Sequence, residues 1–219
     1  MDGSLSRLKM DHIDLYFQHR VDPEVSPEEV AGVMADLIRE GKITHWGISE
    51  ANEEYLRRAH RVCPVTAVQN RYSMMARHYE ALFPTLEELG VSLVAFSPMA
   101  NGFLTGRYGK GEHFDQKYDY RASMPQFTDQ AVEQNQKLLQ LLHHMADEKK
   151  ATPAQISLAW MLCKKPWIVP IPGTRREERM EENAGAADVV LSAGEVQALD
   201  EALDHMEMSA VFGGTAVKK

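Results

Sequence analysis

Short apolar runs alternate with amphipathic stretches along most of the chain. Five apolar runs predict β-strands, at residues 12–18, 43–48, 65–69, 91–96 and 167–171. Apolar positions at helical spacing predict helices near residues 27–41, 52–62, 78–89, 129–150 and 175–187. Strands that alternate regularly with helices are typical of parallel strands joined by right-handed crossovers. The fold class is therefore α/β, with either an open doubly wound sheet or a closed barrel.

Capping residues mark where several of these helices begin. Ser26 precedes Pro27, and Glu29 completes a capping box. Within this helix an apolar stripe is formed by Val30, Val33, Met34, Leu37 and Ile38. Asn52 caps the next helix, and further caps begin helices at residues 152–155 and 192–195.

The chain is predicted to form a single domain over residues 1–219, because it has no Pro/Ser-rich linker and no low-complexity tract. The Gly-rich segment at residues 101–127 is too long for a simple connector. Loops of that length in compact domains are usually functional or disordered. A length of 219 residues is also somewhat short of the roughly 250 residues that an eight-stranded α/β barrel usually needs.

Composition and charge indicate which partner classes and which cellular compartment to expect. The chain is 44% hydrophobic and 26% charged, which is ordinary for a soluble domain. Its net charge of -8 argues against nucleic-acid or anionic-membrane partners. The first residues lack a signal-peptide pattern, and no run of about 18 apolar residues occurs. With Cys63 and Cys163 expected as reduced thiols, we predict a cytoplasmic protein.

Each predicted strand runs into a polar or turn-forming cluster. The clusters are Gln18-His19-Arg20, Ser49-Glu50, Gln69-Asn70, Ser97-Pro98 and Pro172-Gly173-Thr174. Ligands of parallel α/β sheets bind at the carboxyl ends of the strands. The pattern therefore indicates one site along one rim.

The last cluster carries the most specific chemistry. A Gly-Thr turn is followed by Arg175, Arg176 and Arg179 at a predicted helix start. Free N–H groups at a helix start favour an anion, and guanidinium groups can clasp it, so the pattern predicts a phosphate site. The alternative is a solvated face on which nearby glutamates, such as Glu178 and Glu182, pair with the arginines.

The histidines leave several roles open. His19 is a candidate ligand, a candidate general acid or base, or a satisfied partly buried histidine. His143 and His144 are adjacent and therefore lie on different faces of a helix, and no cysteine or carboxylate stands at a useful spacing. No metal site is predicted.

Taken in order, these clusters resemble the aldo-keto reductases, over essentially the whole chain. The run IDLYFQHRVDP resembles the fourth barrel strand of that family, and GKITHWGISE the fifth. AVQNRYS resembles the sixth, VAFSPMANGFLTG the seventh, and IVPIPGTRREERMEEN the eighth strand with its helix. The GISEA and IPGTR motifs are closest to a bacterial branch. The resemblance implies a TIM barrel that is incomplete, with only the fourth to eighth βα units.

The resemblance also implies an NADP(H) site, and it assigns roles residue by residue. His19 would orient the substrate carbonyl, Ser49 and Gln69 would bind the nicotinamide carboxamide, and Phe96 would stack on the ring. The pyrophosphate would lie along Ser97, Leu104 and Gly106. The 2′-phosphate would lie at Gly173, Thr174, Arg175 and Arg179, and the adenine at Glu182 and Asn183. The sequence departs from the family at Glu50 and Arg71.

The family's other catalytic groups are an aspartate, a tyrosine that acts as the general acid, and a lysine, all carried by earlier strands. No residue here aligns with them, so we expect weak NADPH binding and negligible turnover. Five strands cannot close a barrel of eight, so a homo-oligomer that covers the open edges is an expected partner.

Three functions remain open at this stage. The first is an NADPH-dependent reductase of aldehydes and ketones that is truncated in this chain. The second is a non-catalytic nucleotide-binding or interaction protein. The third, another phosphate-binding barrel enzyme, is disfavoured because no Schiff-base lysine or carboxylate base stands at a strand end. The aromatic residues of segment 101–127 suggest an apolar or aromatic small-molecule carbonyl substrate.

Overall fold

The computed structural model describes residues 1–212, in two compact units. The first unit comprises Met1–Arg71 and Tyr79–Val94, and the second comprises residues 72–78 and 95–212. Together they contain five strands: β1 (Ile13–Gln18), β2 (Ile43–Ser49), β3 (Ala67–Arg71), β4 (Ser92–Phe96) and β5 (Ile168–Pro170). The fold is α/β with one five-stranded parallel sheet in the order β1-β2-β3-β4-β5. All five predicted strands are confirmed, with bounds that differ by no more than about two residues, the ordinary uncertainty of element ends.

Four helices belong to the first unit: α1 (Asp2–Leu8), α2 (Pro27–Arg39), α3 (Glu53–Val62) and α4 (Phe83–Leu89). The predicted cap of α2 is confirmed, because the Glu29 amide donates to the Ser26 hydroxyl and the Ser26 amide donates to the Glu29 carboxylate. Asn52 caps α3 by accepting from the Tyr55 amide at 2.8 Å. The apolar stripe of α2 was predicted only in part, since Val33 is 57% exposed whereas Ala31 is buried.

The single helix predicted over residues 78–89 is wrong. Residues His78–Leu82 form a 3-10 helix, and α4 begins only at Phe83. Pro84 explains the division, because its nitrogen cannot donate to the carbonyl of Glu80 and its ring crowds that carbonyl. At the start of α4 the missing N–H costs nothing, since the first amides of a helix have no intrahelical partner.

Five helices belong to the second unit: α5 (Asp129–Gln134), α6 (Gln136–Lys149), α7 (Pro153–Lys164), α8 (Glu177–Ala184) and α9 (Ala193–Asp204). Capping boxes at Thr152 and Ser192 begin α7 and α9, as predicted. The predicted helix over residues 129–150 is interrupted at Asn135, whose side chain is buried in hydrogen bonds with Ser209. Short 3-10 helices complete the unit at Ala100–Thr105, Tyr120–Ser123, Pro125–Phe127 and Gly185–Asp188.

Each unit has its own buried core. In the first unit Trp46, Ile48 and Leu56 are completely buried. In the second, Trp160 is completely buried, stacks on Tyr72 with ring centroids 5.3 Å apart, and donates its indole N–H to Asp200 at 2.9 Å. Within residues 1–212 there is no helix both long enough and apolar enough to cross a membrane.

His60 of α3 gives the first unit a pH-dependent stability. The Val65 amide donates to Nδ1 of His60 at 3.1 Å, and burial lowers the pKa of His60 from 6.5. As the pH falls below about 6.5, His60 is protonated in the unfolded chain before it is protonated in the folded chain. Neutral His60 therefore contributes fully to the free energy of unfolding above that pH, and this contribution is lost as the pH falls further.

We expect the His60→Asn variant to lose less unfolding free energy than the parent chain between pH 7 and pH 5. The asparagine oxygen can accept the Val65 amide but does not titrate. Urea unfolding at the two pH values measures both losses, and equal losses would contradict the assignment.

Candidate functional site

The carboxyl ends of the first three strands carry a hydrogen-bonded polar cluster within the first unit. The hydroxyl of Ser49 donates to the Gln69 carbonyl at 3.0 Å and accepts from Nη1 of Arg20 at 3.0 Å. Ser49 is almost completely buried, whereas Gln69 is half-buried. The predicted carboxamide residues Ser49 and Gln69 are therefore neighbours, linked through the parallel pairing of β2 with β3.

Glu50, the residue after Ser49, has a strained backbone conformation that Asn70 supports. Its φ of 60° lies in the left-handed region, which non-glycine residues rarely adopt. The Glu50 amide donates to the side-chain oxygen of Asn70 at 2.9 Å, and the Asn70 amide nitrogen donates to the Ala51 carbonyl at 3.3 Å. One carboxylate oxygen of Glu50 is buried without a hydrogen-bond partner among the described residues. Backbone strain and an unsatisfied buried oxygen are features that cluster at functional sites.

Arg71 and Tyr79 lie in the electrostatic field of Glu50. Burial lowers the pKa of Arg71, while the Glu50 carboxylate acts in the opposite direction. Burial raises the pKa of Tyr79, and Glu50 raises it further. The phenol of Tyr79 is therefore held in its neutral form over the physiological range.

His19 stands just beyond β1 and is exposed. Its backbone carbonyl accepts from Nη1 of Arg20 at 2.7 Å, the same nitrogen that reaches Ser49. Arg20 thus ties the loop after β1 to the end of β2. Arg20 was predicted only as part of a polar cluster, with no role of its own.

A groove of about 850 Å³ opens on the second unit. It is lined by seven of the residues that the family resemblance assigned to cofactor binding: Ser97, Gly173, Thr174, Arg175, Arg179, Glu182 and Asn183. These residues come from the end of β4, the turn after β5 and helix α8, and they meet on one surface. Segment 107–121 lines the opposite part of the same groove.

The turn after β5 has a structure that the sequence predicted only approximately. The hydroxyl of Thr174 accepts from the Arg176 amide at 3.1 Å, and Arg176 is extended, so α8 begins at Glu177 rather than near residue 175. A Cβ added to Gly173 would meet nothing within 4 Å. The fold therefore does not require glycine there, whereas close approach of a ligand to the backbone would.

Positive charge in this groove is only partly balanced by the protein. Arg179 pairs with Glu182, and Arg121 pairs with Asp119. In contrast, the guanidinium groups of Arg175, Arg176 and Arg107 have no ion pair within the described chain. Arg175 and Arg176 are both exposed, so a solvated face and a phosphate site both remain predictions for them. Unbalanced guanidinium groups next to a helix start form a suitable site for a phosphate.

Arg121 organises the opposite wall of the groove. Its guanidinium binds Asp119, donates to the Tyr108 hydroxyl at 2.7 Å, and lies 4.5 Å from the ring centroid of Phe114. The Arg121 guanidinium lowers the pKa of Asp119. Phe127 packs against Phe114 with centroids 4.9 Å apart, which joins this wall to the buried Phe103. The aromatic content of the segment was visible in the sequence, but the role of Arg121 was not.

Three predicted cofactor residues of the second unit do not line the groove. Phe96 is half-buried at the end of β4, and the side chain of Leu104 is completely buried. Gly106 has a φ of 68°, and a Cβ there would lie 2.7 Å from Nε2 of His143. The fold itself therefore explains the glycine at position 106. The exposed side chain of His143 packs against that turn.

Most of the chain matches a known protein family. The model of the Aldo/keto reductase family matches residues 1–204. The chain belongs to this family. A curated family member, aldo-keto reductase str7 of Strobilurus tenacellus, is 40% identical over 209 residues. The match covers 94% of this chain but 62% of that protein, so the chain spans less than two thirds of this relative's length.

Solved aldo-keto reductase structures have the same fold. The glycerol dehydrogenase of Gluconobacter oxydans superposes with a TM-score of 0.87 at 22% identity, covering 99% of this chain and 66% of the other. An aldo/keto reductase of Klebsiella pneumoniae, solved in complex with NADP and acetate, superposes with a TM-score of 0.70 at 26% identity. That match covers 94% of this chain and 66% of the other.

We expect Arg121→Lys to loosen segment 107–121. A lysine has one ammonium group and cannot reproduce the planar fork that joins Asp119 to Tyr108. Hydrogen exchange of this segment should accelerate by about tenfold, the effect of losing roughly 1.4 kcal/mol of local stability. Arg107→Lys is the matched control, because the Arg107 side chain has no ion pair in the described structure. Equal exchange in both variants would disprove the role of Arg121.

Proposed function

We propose that this chain binds NADP(H) and that its groove on the second unit holds the adenosine 2′-phosphate. The observation that carries the proposal is the unbalanced positive charge of Arg175 and Arg176 beside the open backbone of Gly173. A dianionic phosphate would neutralise these guanidinium groups and accept hydrogen bonds from them. The NADP complex of the Klebsiella pneumoniae relative supports the same choice of cofactor.

The neighbouring residues fit the remaining adenosine part. Arg179 is held by Glu182 on the first turns of α8, and Asn183 follows on the same helix. We assign the 2′-phosphate to Gly173, Thr174, Arg175 and Arg179, and the adenine edge to Glu182 and Asn183. Ser97, with the backbone near Leu104 and Gly106, is the proposed pyrophosphate contact.

The first unit supplies the proposed nicotinamide contacts. The Ser49 hydroxyl is engaged by Arg20 and by the Gln69 carbonyl, so it holds the strand end from which the Gln69 side chain projects. We assign carboxamide binding to Ser49 and Gln69. Stacking on the nicotinamide ring is assigned to Phe96.

The proposed reaction is the reduction of an aldehyde or ketone to an alcohol. Bound NADPH supplies a hydride to the carbonyl carbon in this chemistry. Exposed His19 would donate a hydrogen bond to the carbonyl oxygen and orient it. We propose that the chain corresponds to the fourth to eighth βα units of an eight-unit barrel, and we assign no residue of it as the proton donor.

The second candidate function is nucleotide binding without catalysis. It is favoured by the location of the proposed phosphate contacts within the chain. On the family resemblance, we expect none of its tyrosines to take the place of the general acid. Under this alternative the arginines bind the cofactor but no carbonyl is reduced.

Cofactor preference tests the 2′-phosphate assignment. We expect NADPH to quench tryptophan fluorescence at lower concentration than NADH. Replacing both Arg175 and Arg179 by alanine should weaken NADPH binding by about tenfold to a hundredfold, the worth of one charge-assisted hydrogen bond, and leave NADH binding little changed. Arg39→Ala, at a 74% exposed side chain of α2, is the control. Equal affinity of the parent chain for both cofactors would refute the proposal.

Turnover separates the two candidate functions. With NADPH and an aromatic aldehyde, the 219-residue chain should oxidise NADPH negligibly at 340 nm, and turnover near 1 s⁻¹, within the ordinary enzyme range, would show that it contains its own proton donor. A chimera that adds the first three βα units of a full-length family member should gain turnover that His19→Gln then abolishes. A folded, NADPH-binding chimera without turnover would favour the non-catalytic alternative.

A further inference from the structure

The segment that follows α9 is fixed to the break between α5 and α6. Asn135 is almost completely buried, and its amide nitrogen donates to the Ser209 hydroxyl at 2.7 Å. The Ser209 amide donates back to the Asn135 side-chain oxygen at 3.0 Å. Because both the nitrogen and the oxygen of the buried Asn135 amide bind Ser209, the position of Ser209 is fixed. Gln134 adds a bond to the Glu207 carbonyl at 3.2 Å.

Gln126 continues this connection into the interior of the second unit. It is completely buried. Its side-chain oxygen accepts from the Phe212 amide at 2.9 Å, and its nitrogen donates to the Ala100 carbonyl at 3.3 Å. A single amide therefore joins the C-terminal segment, residues 207–212, to the start of the 3-10 helix Ala100–Thr105.

The backbone that Gln126 contacts is strained and borders the groove. Ala100, Asn101 and Gly102 have φ values of 48°, 59° and 97°, all in the left-handed region. Two of the three are not glycine, so the conformation persists only where surrounding contacts enforce it. Asn101 and Gly102 line the groove together with Ser97 and Thr105. The shape of this wall therefore depends on what holds the Ala100 carbonyl.

We propose that Gln126 is a positioning residue of the cofactor groove and that the C-terminal segment 207–212 acts through it. Phe212 orients the Gln126 amide, and Gln126 holds the left-handed turn that forms one wall of the groove. The proposal deepens the proposed function and rests on it for the identity of the ligand. The hydrogen-bonded connection from Phe212 through Gln126 to the turn can be tested without any ligand.

Two substitutions break the link at different places. Gln126→Leu removes the amide, whereas Phe212→Pro keeps the amide and removes the N–H that donates to it. Phe212→Leu keeps that N–H and is the matched control. A second control is Gln140→Leu, at an exposed glutamine of α6.

Hydrogen exchange at the Gly102 and Leu104 amides, both bonded to the Met99 carbonyl, reports the turn directly. We expect faster exchange there in Gln126→Leu and in Phe212→Pro, but not in either control. Unchanged exchange in Phe212→Pro would overturn the proposal, even if Gln126→Leu fails to fold. This readout is independent of NADPH, so it decides the link even if the chain binds no cofactor and the proposed function fails.

Binding energetics then tests the effect on the groove. Each single variant should raise the NADPH dissociation constant by about tenfold, and the double variant should raise it no further, because both changes remove the same connection. Additive losses, or an unchanged dissociation constant with accelerated exchange, would refute positioning through Gln126.

Discussion

Unbalanced positive charge in the turn after β5 is the constraint on which the functional account depends. Arg175 and Arg176 stand immediately before α8, where the helix dipole already favours negative charge. Guanidinium groups at this position oppose the helix dipole. The arrangement becomes favourable when an anion is bound, and the open backbone at Gly173 leaves room for one. An adenosine 2′-phosphate is an anion of suitable charge and geometry.

Polar contacts of Arg121 and Gln126 hold other parts of the groove. Arg121 binds Asp119 and Tyr108 in the long segment, and Gln126 connects Ala100 with Phe212. These polar contacts act together with the buried apolar side chains of the region, such as Phe103 and Leu104, to determine its shape. The left-handed backbone of Ala100 is consistent with that arrangement, because alanine has no polar side chain that could support this conformation locally.

Local signals in the sequence predicted the elements, and non-local contacts account for most of the errors. Ser26, Thr152 and Ser192 each cap a helix through a partner three residues away, so these starts could be read directly. The break at Asn135 could not, because its cause is Ser209 in a distant segment. Pro84 was a local signal that residues 78–89 form two separate helices, but the apolar positions at helical spacing predicted a single helix.

The same contrast between local signals and non-local contacts applies to the candidate site. The arginines at residues 175–179 and the glycine at 173 were recognisable, because a short motif contains both the anion-binding groups and the turn. The buried oxygen of Glu50 and its influence on Tyr79 arise from neighbouring strands and could not be read from spacing. Likewise, nothing in the local sequence distinguishes Gly106, where a φ of 68° favours glycine, from Gly173, where the fold does not require it.

Phosphorus NMR of NADPH during titration with the chain tests the central claim most directly. The 2′-phosphate of NADPH has a pKa near 6, typical of phosphate monoesters, and its chemical shift follows its ionisation. If Arg175 and its neighbours hold this group, its resonance should shift on binding and its pKa should fall. A 2′-phosphate resonance that keeps its free position and titration, while the pyrophosphate signals respond, would contradict the account.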